Sequence, residues 1–254
     1  MFLCALCGLI EPMAASFPVT RPLALVTGGA HRLGKTFALT LARLGYDLIL
    51  HYHTAEDQAH QTQAETESLG IRVNLAQADL TDPAQIESLL STIVRPLKVL
   101  VNSAAFMPHG NVEALSLENW DTALDLNLRA PFFLSQGAAQ KMKNGGVIIN
   151  ITDVGAQKTW SRYPSYAVSK TALESLTKIL ARALAPAIRV NAIAPGFVLQ
   201  SDIVSTEEWE RLINRIPLKR PARSEEIAAT LEFLLKNEYI TGQTIVVDGG
   251  YSLV

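Results

Sequence analysis

The sequence predicts an α/β fold: a doubly wound, mostly parallel sheet of seven strands with helices on both faces. Three observations point there. Short runs rich in Val, Ile and Leu recur along the chain, separated by longer stretches, some with clear helical apolar spacing. The runs are continuous rather than alternating, the pattern of strands buried on both faces. The intervals are mostly long enough for crossover helices, which parallel strands require. With 254 residues, 48% of them hydrophobic, the chain can bury one large core.

The first strand is expected at Leu23–Thr27, before a glycine-bearing turn and a helical pattern over Thr36–Leu44. Further strands are expected at Asp47–His51, Val73–Gln77, Val99–Val101, Val147–Ile151, Val190–Ile193 and Thr244–Val247. Ala167–Leu184, after the fifth strand, shows the other clear helical spacing. No compositional break interrupts the alternation, so residues 21–254 read as one domain. Residues 1–20 read as an N-terminal extension expected to be poorly ordered. Pro195–Glu208 is the least patterned long connection and follows a strand end, where open α/β sheets take ligands. A mobile lid over a substrate and an ordinary surface loop both suit it.

Charged residues make up 18% and the formal net charge is −2. No basic excess marks a nucleic-acid partner, and there is no charge block, low-complexity segment or repeat. The apolar opening MFLCALCGLI is too short to span a bilayer, which needs roughly 20 residues. It lacks the positive flank of a secretory signal, so no membrane partner is expected, and Met13 is a candidate start. Cys4 and Cys7 form a lone Cys-x-x-Cys, without the context of a redox motif or the further ligands of a zinc site. It reads as incidental, and no metal is expected. With no other cysteine a disulfide framework is excluded, which suits a cytoplasmic setting.

The first strand runs into Thr27-Gly28-Gly29-Ala30-His31-Arg32-Leu33-Gly34 and then a helix. Glycines there permit a tight turn and close approach of backbone to phosphate. The helix start offers N–H groups and a positive dipole end to a pyrophosphate. This Thr-Gly-x-x-x-x-x-Gly turn resembles the cofactor turn of short-chain dehydrogenases/reductases, which implies a Rossmann fold. Most members carry a third glycine where this chain has Arg32. The arginine form resembles the pteridine reductase branch and puts a permanent cation beside the phosphates.

An NAD site normally has an acid about 20 residues after the glycines, bound to the ribose hydroxyls. Here the second strand ends in His51-Tyr52-His53-Thr54, and Glu56 and Asp57 are expected in the next helix. A 2′-phosphate would meet no carboxylate, and Arg32, His51, His53 and Thr54 could supply donors. NADP(H) is therefore the expected cofactor. His-Tyr-His also resembles pteridine reductases, although Thr54-Ala55 replaces their usual Arg-Ser. Asp79 and Leu80 follow the third strand, where the family places an acid and its neighbour against the adenine; Asp79 also reads as an ordinary N-cap-region acid. Asn102-Ser103-Ala104-Ala105 is similar to the family's Asn-Asn-Ala-Gly beside the ribose.

Tyr166-Ala167-Val168-Ser169-Lys170 puts a phenol and an ammonium at i and i+4 on one helical face. A nearby ammonium favours phenolate and lowers the tyrosine pKa from about 10. Such a phenol can donate a proton near neutral pH to the group that receives a hydride. Short-chain dehydrogenases/reductases usually add a serine upstream, at the exit of the fifth strand. This chain has Asp153 there, after Thr152. A serine hydroxyl can donate to a ketone oxygen gaining charge, whereas an ionised aspartate would repel it. Beside a C=N nitrogen that must be protonated, a carboxylate is favourable. Pteridine reductases and the related dihydromonapterin and dihydrofolate reductases carry Asp, Tyr and Lys in this arrangement. The alternative is that Asp153 only caps a loop and Thr152 supplies the hydroxyl.

Asn127 resembles the family's helix asparagine, which holds a relay water near the lysine; a buried side chain hydrogen-bonded to backbone is compatible with that role. Phe106 could stack on a flat heteroaromatic ring or belong to the core. Pro195 and Gly196 resemble the turn beside the nicotinamide. The last strand and its exit resemble relatives that form tetramers, so a homotetramer is expected. The expected function is NADPH-dependent reduction of a pterin or folate-like C=N bond, with Arg32, Phe106, Asp153 and Tyr166 meeting the substrate. A carbonyl reductase using Thr152 and a non-catalytic NADP-binding sensor are the alternatives.

Overall fold

A computed structural model describes residues 21–158, 160–200 and 204–254. The expected N-terminal extension, with Met1, Met13, Cys4 and Cys7, lies outside the described residues, as do residues 201–203 of the Pro195–Glu208 connection.

All seven expected strands are present: β1 (Leu23–Thr27), β2 (Asp47–Tyr52), β3 (Val73–Gln77), β4 (Leu97–Asn102), β5 (Gly146–Ile151), β6 (Ile188–Pro195) and β7 (Thr244–Val247). They form one sheet in the order β3-β2-β1-β4-β5-β6-β7, and every neighbouring pair is parallel, so the "mostly" of the expectation is not needed. β4 runs past its expected apolar core to Asn102, whose side chain is satisfied, and β6 spans Ile188–Pro195. Asn102 Nδ2 donates to Asn150 Oδ1 at 2.8 Å, and Asn150 Nδ2 donates to Thr177 Oγ1 at 2.9 Å. A ladder can pass through polar residues when each finds a partner.

The helices are α1 (Arg32–Arg43), α2 (Glu56–Glu67), α3 (Pro83–Ser91), α4 (Leu117–Leu124), α5 (Ala130–Lys141), α6 (Gly155–Lys158), α7 (Pro164–Leu184), α8 (Thr206–Arg215) and α9 (Ser224–Lys236). A π-helical stretch, Asp125–Arg129, joins α4 to α5. Start signals are local. Asp82 accepts from the Ala84 N–H ahead of α3, and Ser205 accepts from the Glu208 N–H ahead of α8. Pro164 opens α7, where a missing N–H costs nothing.

Alternate strand residues feed two cores. Leu25, Ile49, Leu100, Ile148 and Val190 point to one face with Leu134 of α5 and Leu173 of α7. Val26, Leu50, Val101, Ile149 and Ile193 point to the other with Phe37 and Leu41 of α1 and Leu231 of α9. At the amino end of the sheet Asp47 ties β2 to its surroundings. It pairs with Arg72 at 2.7 Å and Arg95 at 2.6 Å. At the carboxyl end the strand order reverses between β1 and β4, which opens a crevice. The Thr27 hydroxyl oxygen spans it, accepting from the Ser103 and Ala104 N–H groups at 3.0 and 3.1 Å. Among the described residues no helix is long and apolar enough to cross a membrane, and no cluster of His, Cys, Asp and Glu is placed to hold a metal.

Candidate active site

A cleft of ≈ 1230 Å³ lies over the carboxyl ends of the strands. It gathers residues from β1 through the C-terminal turn, and nearly all the expected site residues line it. Asn102 and Asn127 lie behind its wall, each buried.

In the half above β1, β2 and β3, backbone does most of the shaping. Gly28 has φ +62, and a side chain there would come within 2.9 Å of the Ala104 Cα. Gly34 packs α1 onto the turn so closely that a Cβ would meet the Gly28 carbonyl oxygen at 1.9 Å. Arg32 keeps a left-handed φ of +51. Its guanidinium donates to the Leu199 and Gln200 carbonyls at 2.9 and 3.2 Å, joining the turn to the loop after β6. The start of α1 has no acid in its first turn and no side-chain cap, so its N–H groups, including that of Leu33, are available to an anion.

His51 differs from expectation. It is 2% exposed; its Nδ1 accepts from the Gly28 N–H at 3.0 Å, and its Nε2 lies 3.0 Å from the Ala78 carbonyl. Those contacts assign the proton to Nε2. Burial pushes its pKa down to about 4, so it is neutral and both nitrogens are taken. His51 therefore props the glycine turn from beneath rather than reaching for a phosphate. His53 and Thr54 are exposed at the mouth, while Glu56 and Asp57 turn away into α2. Asp79 accepts from the Thr81 N–H and hydroxyl and stands 4.0 Å from His53 Nε2; the Thr81 bonds outweigh burial and hold its carboxyl below the usual range. It is not the cap of α3; that role falls to Asp82. Asn102 braces β4 against Asn150, leaving Ser103 and Ala104 at the surface of the cleft and Leu80 on its floor. An open helix start, a cation at Arg32 and no acid at the β2 exit fit a phosphorylated dinucleotide.

The other half holds the reactive cluster. Tyr166 Oη donates to Asp153 Oδ2 at 2.9 Å, and Asp153 Oδ1 accepts the Gly155 N–H at 2.6 Å. Lys170 Nζ donates to the Ile151 carbonyl at 2.7 Å and sits 5.6 Å from the Tyr166 ring centre. Burial raises the Asp153 pKa to about 6 against the opposing pull of Gly155, Tyr166 and Lys170. Burial lowers the Lys170 pKa to about 8, with Asp153 opposing. Tyr166 departs from expectation: burial, then the charge and hydrogen bond of Asp153, push its pKa well above 10. The phenol is held protonated by its acceptor, because Asp153 is closer than the ammonium that would favour phenolate. The Thr152 hydroxyl lines the cleft wall but is buried, and its proton is already donated to the Ile193 carbonyl at 3.2 Å.

Asn127 lies in the π-helical stretch, a geometry that often marks functional sites. Its Oδ1 accepts the Phe106 N–H and its Nδ2 donates to the Phe106 carbonyl, both at 2.8 Å, with Ser169 Oγ at 3.0 Å. The side chain fixes Phe106, the buried, backbone-bonded arrangement expected of it. Phe106 itself is half-buried and lines the cleft, so it is not a core residue. Pro195 and Gly196 form the floor: Val154 N–H donates to the Pro195 carbonyl, and Gly196 N–H donates to that of Val247, both at 3.0 Å.

Sequence reasoning missed an aromatic wall. Trp160 and Phe197 stack at 6.2 Å, with Trp209 and Tyr251 edge-on to Phe197 at 5.6 and 4.9 Å. Two of the chain's three tryptophans stand in this wall, both near segments with weak core patterning, which is the signal that was available.

A family model described as enoyl-(acyl carrier protein) reductase matches residues 28–252. The 3-oxoacyl-[acyl-carrier-protein] reductase FabG of Staphylococcus aureus is 34% identical over 237 residues, covering 89% of this chain and 96% of the relative. Among solved structures, the FolM alternative dihydrofolate reductase 1 of Brucella canis, complexed with NADP, aligns with a TM-score of 0.86 at 34% identity, covering 92% and 94% of the two chains. The acetoin dehydrogenase of Enterobacter cloacae aligns at 0.83 and 34%, covering 92% and 97%.

Proposed function

This chain belongs to the short-chain dehydrogenase/reductase family of NAD(P)-dependent oxidoreductases, and from that premise we propose that it uses NADPH to reduce a pterin or folate-like C=N bond. One observation carries the reading: the hydrogen bond from the Tyr166 phenol to the Asp153 carboxylate, 2.9 Å, where the family usually has a serine. A ketone oxygen gains negative charge on reduction, and a carboxylate beside it repels that charge. A C=N nitrogen gains a proton, and a carboxyl group that titrates near 6 can hold one and pass it on.

NADPH supplies the hydride when bound. Asp153, protonated, donates to the ring nitrogen; the Tyr166 hydrogen bond stabilises the carboxylate left behind, and water entering the cleft returns the proton to Asp153. Lys170, anchored to the Ile151 carbonyl, adds its positive charge beside that carboxylate. Phe106, locked by Asn127, offers a face to the flat ring. Arg32, His53 and Thr54 are the groups proposed to favour NADP(H) over NAD(H), with no acid at the β2 exit to oppose a 2′-phosphate.

A second reading, ketone reduction, draws on the likeness to the Staphylococcus aureus 3-oxoacyl reductase. It would require Thr152 to leave the Ile193 carbonyl. Following NADPH oxidation with 7,8-dihydropterins and dihydrofolate beside a panel of ketones and acyl thioesters separates the two. Turnover of ketones alone would discard C=N reduction.

We also expect a homotetramer. Phe132 and Phe133 on α5 and Val168 and Ile179 on α7 are 37–62% exposed, more apolar surface than isolated helices need to show. A monomer by sedimentation at micromolar concentration would remove that expectation.

A further inference from the structure

We propose that the cleft contains a second subsite, beyond the ring-reducing centre, that takes an aromatic group bearing a carboxylate, carried as a tail on the substrate. This rests on the C=N reading above. Ligand pockets commonly run about 300–1,000 Å³. The cleft is ≈ 1230 Å³ and continues past Asp153 and Tyr166 to the aromatic wall.

That wall is suited to a planar apolar group. Trp160 and Phe197 lie within 28° of parallel, and Trp209 stands at 86° to Phe197. Offset-stacked and edge-on approaches to such faces are both favourable.

Beyond the wall the chemistry changes sign. Arg162 and Arg215 line both the main cleft and an adjoining hollow of ≈ 480 Å³, where Arg211 joins them. The acids facing the same hollow are Glu207 and Glu208, from the first turn of α8. Lys158 also faces the cleft, but its ammonium is engaged by the Val254 carbonyl and the Tyr251 ring. The Arg162–Glu208 contact is loose, 3.6 Å between groups that are 71% and 50% exposed. It leaves the Arg162 fork able to exchange partners. Guanidinium forks match carboxylates bidentately.

Charge then fixes the polarity of the ligand. A carboxylate directed at Asp79 meets a like charge, whereas directed at the arginine rim it meets three guanidinium groups against two carboxylates, Glu207 and Glu208. The flat ring goes to Asp153, the aryl group to the Trp160–Phe197 wall, and the carboxylate to Arg162 and Arg215. Dihydrofolate has this sequence of groups; a bare dihydropterin has only the first.

The test uses the full chain with NADP⁺ present. p-Aminobenzoyl-glutamate and the uncharged p-aminobenzamide are titrated by calorimetry. The acid is expected to bind about tenfold tighter, the difference shrinking with added salt and disappearing in an Arg162→Gln, Arg215→Gln double variant. In parallel, the ratio of kcat/KM for dihydrofolate to that for 7,8-dihydropterin should fall about tenfold in Arg215→Gln. Equal binding of acid and amide by the unaltered chain overturns the proposal without any variant. If neither pterin is reduced but the acid binds as expected, C=N reduction fails and the tail subsite stands.

Discussion

Asp47 and Asp153 are the same side chain at opposite ends of one sheet, and the molecule uses them in opposite ways. Asp47 opens β2 at the amino edge. Its carboxylate receives the Arg72 N–H at 2.9 Å and the guanidinium groups of Arg72 and Arg95. Burial pushes its pKa up, but those partners outweigh burial and hold it below the ordinary value. Asp153, just past β5 at the carboxyl edge, has one N–H and one phenol; the nearby ammonium is spent on a carbonyl, and burial wins. Where cations are supplied, a carboxylate becomes a permanent tie. Where they are withheld, it becomes a group that titrates near working pH.

The comparison breaks most visibly at the reactive edge. Tyr166→Phe should lower NADPH-dependent turnover about 1000-fold, since it removes the hydrogen bond that stabilises the Asp153 carboxylate formed by proton transfer. Asp153→Asn, which keeps the shape and loses the acid, should lower C=N reduction about 100-fold while the melting temperature moves only slightly. Asp47→Asn should do the reverse: a stability loss of about 2 kcal/mol, roughly 6 °C in Tm, with kcat retained. An Asp47 variant that is stable but inactive, or an Asp153 variant that unfolds but turns over, would erase the contrast. A smaller effect belongs to His51→Phe, which leaves the Gly28 N–H without its acceptor. The cofactor Kd should rise about tenfold by fluorescence titration.

The pH responses run in opposite directions and give the finest discrimination. The folded pKa of Asp153 lies above the ordinary value of 3.8, so its stability contribution is complete below that value and is lost as pH rises through about 6. The proton it offers for reduction disappears over the same interval, so kcat/KM should fall above about pH 6, and Asp153→Asn should flatten that limb. Asp47 has its folded pKa lowered. Its contribution is present above the ordinary carboxylate range and is lost as pH falls through the lowered value. Denaturation followed by circular dichroism at several pH values, with each variant beside the parent, reads both slopes.

The fold was legible because its signals are local. Apolar runs marked each strand, and Gly28, Gly34, Tyr166 and Lys170 sit in turns and helical spacing that a short window of sequence displays. The reactive cluster was legible in part: Asp153, Tyr166 and Lys170, singled out in the sequence, line one cleft. What escaped depends on convergence from distant segments. The roles of His51 and Asn127 are set by Gly28, Ala78 and Phe106, which no spacing rule links to them. The elevated pKa of Tyr166 comes first from burial and then from Asp153, so weighing only the lysine gave the wrong sign. The aromatic wall joins the α6–α7 link, the β6 exit, α8 and the C-terminal turn, and its members touch only after folding.

The near contact of Gly28 with Ala104 couples two strand exits that are far apart in sequence. Neither can gain bulk unless the other recedes, and Thr27 prevents that retreat by gripping the neighbouring amides of Ser103 and Ala104. Engineering aimed at cofactor preference therefore has little freedom at the crevice floor. Useful variation must be sought at the exposed rim, at His53 and Thr54, where a new side chain can swing into solvent without prying the sheet apart.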